Sequence, residues 1–192
     1  MREQILAAAR DLVESRGYDG FSYADISDIV GIRKPSVHHH FPTKGDLGRA
    51  LVEEFRAGCR AETARIERDG GRPVDRLMGY AKGFEEKLAD GGRMCLCGML
   101  AAGKKGLPVE VSRELDEAIG EQEAWLAGVI ADGQESGAIR DDEPARRLAQ
   151  LVLAGLEGAL LLARVRGGRA GFRGVAGALI DGLRAGGPAG IE

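Results

Sequence analysis

Apolar residues recur at intervals of three and four along almost the whole chain, and short β-like runs such as Val109-Glu110-Val111 sit inside that helical period. The pattern confines the fold to packed helices. Ile5, Ala8, Ala9, Leu12 and Val13 mark a first helix over about 2–16, with Gly17 expected as a left-handed cap. Ser22-Tyr23-Ala24-Asp25 reads as a capping box opening a second helix over about 23–30, with Ile26 and Ile29 turned inward. Gly31 permits a tight turn, Pro35 suits the first turn of a third helix over about 34–40, and Pro42 ends it. Thr43 then caps a fourth helix, with Leu47, Leu51 and Phe55 facing inward and its end near residue 67.

The rest of the chain continues in the same way. Asp69-Gly70-Gly71-Arg72-Pro73 is a break, followed by a helix over about 74–89 that Asp90-Gly91-Gly92 closes. Met94 to Ala102 is a short apolar segment. Pro108 opens a long helix with a stripe of Val111, Leu115, Ile119, Gln122, Leu126, Val129 and Ile130, ended by Gly137. Asp141-Asp142-Glu143-Pro144 is the start signature of an eighth helix reaching about Arg164, because acids and proline both favour a helix N-terminus. Phe172, Val175, Ala176, Leu179, Ile180 and Leu183 give a ninth, and the Gly186-Gly187-Pro188 tail looks frayed. The expected fold is all-α with about nine helices, divided into a small helix-turn-helix domain over residues 1–58 and a larger helical domain over 59–192.

Composition removes other classes. With 192 residues, 44% hydrophobic and 30% charged, the chain has enough core to fold without disulfides and too little polarity for disorder. The longest apolar stretch, Leu148 to Val165, is interrupted by Gln150, Glu157 and Arg164 and is too short to span a bilayer. The N-terminus lacks the basic flank and apolar core of a secretory signal, so a cytoplasmic location is expected. Cys59, Cys95 and Cys97 form an odd set without zinc-like spacing, as free thiols in a reducing compartment would. Walker loops, zinc-protease motifs, nucleophile elbows and dinucleotide-binding glycine clusters are missing, and Gly103-Lys104-Lys105-Gly106 lacks phosphate-cradling spacing. A helical-bundle enzyme or a small-molecule carrier is one reading of such a chain, and little supports it.

Charge points the other way. The chain carries 27 Lys and Arg against 30 Asp and Glu, yet Gly31 to Gly45 holds Arg33, Lys34 and Lys44, no acid, and all three histidines. A local cationic segment on a helix-turn-helix is the signature of a nucleic-acid contact confined to one element. The consecutive residues His38, His39 and His40 cannot converge on one metal ion, since neighbours on a helix diverge by about 100°; no metal or other cofactor is expected.

Several short motifs, Ile5-Leu6-Ala7-Ala8-Ala9, Gly17-Tyr18, Phe21-Ser22, Asp25-Ile26-Ser27, Val30-Gly31-Ile32 and Val37-His38-His39-His40-Phe41-Pro42-Thr43-Lys44 with Asp46-Leu47, resemble the N-terminal domain of the TetR/AcrR family of bacterial transcriptional regulators. The resemblance covers about residues 2–51. It implies that Arg33, Lys34, Ser36, Val37, His38 and His39 lie on the turn and recognition helix near base edges and phosphates, and that Tyr23 and Lys44 hold backbone phosphates. His38 stands where a tyrosine is usual, and Pro35 where a small residue is usual. The implied partners are double-stranded operator DNA, a small-molecule effector and a second copy of the chain.

In the larger domain Met78, Tyr80, Phe84, Cys95, Cys97, Met99 and Trp125 are candidate effector contacts, and core packing accounts for each equally well. They suit a mainly apolar or electrophilic effector. Cys95 and Cys97 either fill core or sense an electrophile, with Arg93, Lys104 and Lys105 able to lower a thiol pKa if they lie close. On the last two helices Leu148, Leu151, Val152, Gly155, Ala159, Leu162, Val175 and Leu179 form apolar stripes that pair two copies, or fill the monomer, or do both. A two-fold pair would set its recognition helices about 34 Å apart, matched to a palindrome.

Overall fold

A computed structural model describes residues 1–89, 94–103 and 106–186. The helix stop at Asp90-Gly91-Gly92, the charges Arg93, Lys104 and Lys105, and Gly187-Pro188 lie outside the described residues. Among those described, the chain is helical throughout: α1 (Arg2–Arg16), α2 (Tyr23–Val30), α3 (Lys34–His40), α4 (Lys44–Asp69), α5 (Pro73–Ala89), α6 (Leu96–Ala102), α7 (Val109–Glu135), α8 (Ala145–Ala163) and α9 (Gly168–Asp181), with a 3-10 turn at Tyr18–Gly20. The sole strand-like feature there is an isolated antiparallel bridge between Ile139 and Arg184. Arg140 N–H donates to the Leu183 carbonyl at 2.8 Å and Ala185 N–H to the Ala138 carbonyl at 3.2 Å, tying the end of the chain beyond α9 to the segment before α8.

Two compact units emerge, Met1–Gly58 with Arg93–Ile119, and Cys59–Gly92 with Gly120–Glu192. The division after residue 58 expected from sequence leaves out the second part of the first unit. Residues of α6 and the start of α7 join the head because their apolar side chains, Leu96, Cys97, Leu100, Val111 and Leu115, are buried there with those of the N-terminal helices. No composition shift marks that recruitment.

In the first unit α1 buries Ile5, Leu6, Ala8, Ala9, Leu12 and Val13, and α2 adds Ile26. Ile29 does not turn inward: it is 58% exposed, because an eight-residue helix buries only one narrow face and Ile26 already occupies it. Gly17 has φ 80° and ψ 170°, which is a positive-φ turn but not the left-handed helical cap expected; Gly31, at φ 74° and ψ 33°, does adopt that conformation. Close approach is the other device here. A Cβ on Gly48 of α4 would fall 2.8 Å from Val111 Cγ2 and 2.9 Å from Tyr18 Cε2, so only a missing side chain lets α4 and α7 meet at this point.

In the second unit α5, α8 and α9 pack on one another. Leu77, Tyr80, Phe84, Leu148, Val152, Leu156, Leu160, Phe172 and Ile180 are buried there. Gly155 of α8 leaves the space that Leu179 of α9 occupies, since a Cβ would meet Leu179 Cδ2 at 2.6 Å.

Candidate nucleic-acid interface

Local chemistry fixes α3 in place. Asp25 accepts from the Ser22 N–H and hydroxyl, both at 2.7 Å, forming the capping box that starts α2. Asp46 does the same for α4, accepting from the Thr43 N–H at 3.0 Å and the Thr43 hydroxyl at 2.7 Å, while Asp46 N–H donates to Thr43 Oγ1 at 3.0 Å. The hydrogen bonds from Ser22 and Thr43 hold both carboxyls below the usual carboxylate range. Between these two capped helices, the left-handed Gly31 turns the chain into α3, where Pro35 occupies the first turn.

Sequence candidates divide by burial. Arg33, Lys34, His38 and His39 are exposed and Ser36 is half-buried, so all five sit on the accessible side of the turn and helix. Val37 does not: it is 0% exposed and packs α3 into the head, so the expectation that it faces base edges is corrected. A valine in the middle of a seven-residue helix is the natural anchor, since it is the one apolar side chain α3 has to bury.

Tyr23 is placed differently from the phosphate-holding role expected of it, and Lys44 makes bonds within the head. Tyr23 is buried, and its hydroxyl lies 2.8 Å from the Phe41 carbonyl and 2.6 Å from the Thr43 carbonyl, donating within the turn between α3 and α4. Burial, with the Asp46 carboxylate nearby, pushes the phenol up to about 12. Lys44 Nζ donates to the Phe21 carbonyl at 2.6 Å and stands over the rings of Phe21 and Tyr18, 4.2 Å and 5.0 Å from their centroids. One of its three N–H donors is thus used inside the head, and partial burial lowers its pKa.

His38 packs edge-on against Tyr23 with centroids 4.6 Å apart, and its Nδ1 lies 3.3 Å from the Pro42 carbonyl oxygen. His39 and His40 contact each other at 5.4 Å.

Tyr18 and Asp46 are structural residues of the site to which sequence reasoning assigned no role. Tyr18 is buried, its hydroxyl donates to the Lys44 carbonyl at 2.7 Å, and burial raises its pKa far above the ordinary phenol value. The legible trace was Gly45 and Gly48, small residues three apart on α4, which mark a helix face that other elements approach closely, Gly48 against Tyr18 and Val111 and Gly45 against Pro108 and Glu110.

Among the effector candidates, the second unit gathers Tyr80, Phe84 and Trp125. Tyr80 lies 5.5 Å from Phe84 and 5.4 Å from Trp125 by centroid. The Tyr80 hydroxyl donates to buried Gln122 Oε1 at 2.6 Å, and Trp125 Nε1 donates to Glu67 Oε1 at 3.0 Å. Met78 is 44% exposed and is not part of that buried group, because it lies on the opposite side of α5 from Leu77, Tyr80 and Phe84. Cys95, Cys97 and Met99 belong to the first unit, where both thiols are buried.

The pairing stripes are corrected in part. Leu148, Val152 and Ala159 are buried inside the second unit, and Gly155 is taken up by Leu179. Leu151, Leu162 and Val175 are 49%, 68% and 50% exposed. With Leu161, and with Val165 in the turn after α8, they leave exposed apolar side chains on α8, α9 and the turn between them.

Comparison with known proteins agrees with this architecture. Residues 5–51 match the family described as bacterial regulatory proteins, tetR family. A solved structure of a TetR-family transcriptional regulator from Agrobacterium tumefaciens is 35% identical, with TM-score 0.91, covering 96% of this chain and 97% of that one. The HTH-type transcriptional repressor DhaR of Mycobacterium sp. (strain GP1) is 28% identical over 88% of this chain and 85% of its own length. The HTH-type transcriptional repressor NemR of Escherichia coli (strain K12) is 24% identical over 85% and 84%. All three are transcription regulators rather than enzymes, and with a solved regulator matched across nearly its whole length the chain belongs to the TetR family.

Proposed function

We propose that the protein is a homodimeric repressor that binds a palindromic operator and leaves it when a small effector binds. The observation that carries this reading is α3 itself: a short helix anchored by one buried valine, entered through a left-handed glycine, with Arg33, Lys34, Ser36, His38 and His39 on its accessible side. That is the geometry of a recognition helix entering a major groove, with cations at the end that meets phosphate. The repressor names of DhaR and NemR support the direction of regulation.

The dimer face in this reading is the exposed apolar surface of Leu151, Leu161, Leu162, Val165 and Val175, which a second copy covers by two-fold symmetry. The effector is small and mainly apolar or electrophilic. Tyr80, Phe84 and Trp125, gathered in the second unit, contact it. Release from DNA requires that the effector bind the DNA-incompetent state more tightly than the competent one.

Footprinting on the DNA upstream of the chain's own gene tests the reading. A protected palindrome whose occupancy falls with salt is expected. No protection at low salt, with the protein folded and free of added ligands, overturns it.

A further inference from the structure

His38 is tethered in a way that decides what its imidazole can offer. A carbonyl oxygen only accepts, so the contact of Nδ1 with the Pro42 carbonyl at 3.3 Å is a hydrogen bond with the proton on Nδ1. The neutral ring then carries a bare lone pair on Nε2, which has no protein partner among the described residues. Tyr23, the first residue of α2, packs against the ring from the side at 4.6 Å, and turning the ring over would lose the Nδ1 contact with Pro42. In a helix-turn-helix the first helix crosses the sugar-phosphate backbone, and a ring fixed beside the start of α2 lies on that side.

We propose that His38 is a proton-gated phosphate contact, resting on the reading of α3 as the DNA-reading helix. Neutral, it meets an acceptor with an acceptor and makes no bond to the backbone. On taking one proton from solvent at Nε2 it keeps its Nδ1–H on Pro42 and gains a second donor, which forms a charge-assisted hydrogen bond to a phosphate oxygen. A tyrosine hydroxyl donates at any pH below its own ionisation, so the histidine at this position makes operator affinity depend on acidity. The protein thereby holds its operator more tightly in a mildly acidified cell.

The groups around the ring leave it as the source of that dependence. From α2 comes the Tyr23 phenol, neutral because its pKa is pushed up to about 12. From the start of α4 come Asp46, held ionised by its bonds to Thr43, and Lys44, a cation bonded to Phe21. From α3 come Lys34, a permanent cation, and the two other imidazoles, His39 and His40, which contact each other. Of these side chains only the imidazoles change charge between about pH 6 and pH 8, so substituting them one at a time separates their contributions.

The experiment measures operator affinity by fluorescence anisotropy on a duplex from upstream of the chain's gene, at about pH 6 and pH 8 and constant salt. The natural protein is expected to bind roughly tenfold more tightly at the lower pH, with a salt slope steeper by about one phosphate per protomer. His38→Tyr is expected to bind at both pH values with less than about twofold difference, while His39→Gln keeps the natural dependence. A pH dependence that survives in His38→Tyr, or disappears in His39→Gln, overturns the proposal and leaves the repressor reading standing. Equal salt slopes for the natural protein at the two pH values overturn it without reference to any variant. Absence of duplex binding at both pH values overturns the repressor reading and this proposal together.

Discussion

The Tyr18 hydroxyl donates to the backbone carbonyl of Lys44 at 2.7 Å while the Lys44 ammonium stands 5.0 Å above the Tyr18 ring. One aromatic side chain thus grips both the main chain and the side chain of the residue that begins α4. Tyr18→Phe removes the hydrogen bond and keeps the ring. The expected loss is about 1 kcal/mol of unfolding free energy, read as a lower urea midpoint. An unchanged midpoint would show that the hydroxyl is solvated equally well in the unfolded chain.

Two alanine substitutions in the same helix should have opposite signs. Gly48→Ala places a Cβ 2.8 Å from Val111 Cγ2 and 2.9 Å from Tyr18 Cε2, and overpacking of this kind costs about 1–3 kcal/mol. Gly58→Ala meets nothing within 4 Å, and it replaces the weakest ordinary helix former by the strongest, a gain of about 1 kcal/mol. Thermal melts of the two variants check both, and the same sign for the pair sinks the packing argument.

Acid should weaken the head through its two caps. Hydrogen bonds from Ser22 and Thr43 lower the pKa of Asp25 and Asp46 in the folded chain, so the unfolded chain binds more protons at low pH. Their contribution is fully present above the ordinary aspartate value of about 4 and is lost as pH falls through the lower folded values. The melting temperature is expected to drop on acidification in that window. The double variant Asp25→Asn, Asp46→Asn should melt lower at neutral pH and show a flatter acid limb; an unaltered limb would assign acid sensitivity to other carboxylates.

Leu151 and Val152 are sequence neighbours with separate tasks. Leu151→Glu alters a side chain 49% exposed and is expected to shift a dimer toward monomer in light scattering while keeping the helical circular dichroism spectrum. Val152→Ala empties part of a fully buried site and is expected to cost on the order of 2 kcal/mol with the oligomeric state retained. If Leu151→Glu leaves the dimer intact, the pairing surface lies elsewhere.

Trp125 is the one tryptophan of the chain, in ring contact with Tyr80. An effector that reaches the aromatic cluster should change its fluorescence in proportion to occupancy, and Tyr80→Ala should weaken that response several-fold. A ligand that releases the operator without altering Trp125 emission would place the binding site away from these rings.

Helix number and order were legible because each helix has its own apolar period and its own punctuation. Ser22 with Asp25, Thr43, Pro35 and Gly31 all lie where their chemistry placed them. What periodicity could not supply is which neighbour each face meets. Ile29 has the right spacing from Ile26 and still faces solvent, and the α8 stripe through Leu148, Val152 and Ala159 is the interior one. The site residues divided for the same reason: charge marks Arg33 and Lys34 as accessible, but Val37, Tyr23 and Lys44 carry groups that the head itself can use. Gln122 was a readable exception. An amide inside an apolar stripe demands a buried partner, and Tyr80 supplies it.

The paired backbone bonds joining Arg140 to Leu183 and Ala185 to Ala138 lash together the open ends of the α8–α9 hairpin. A hairpin closed at both ends cannot peel apart one rod at a time. Heating or force should release its two helices in a single event, and a cut between α8 and α9 should leave the fragments associated.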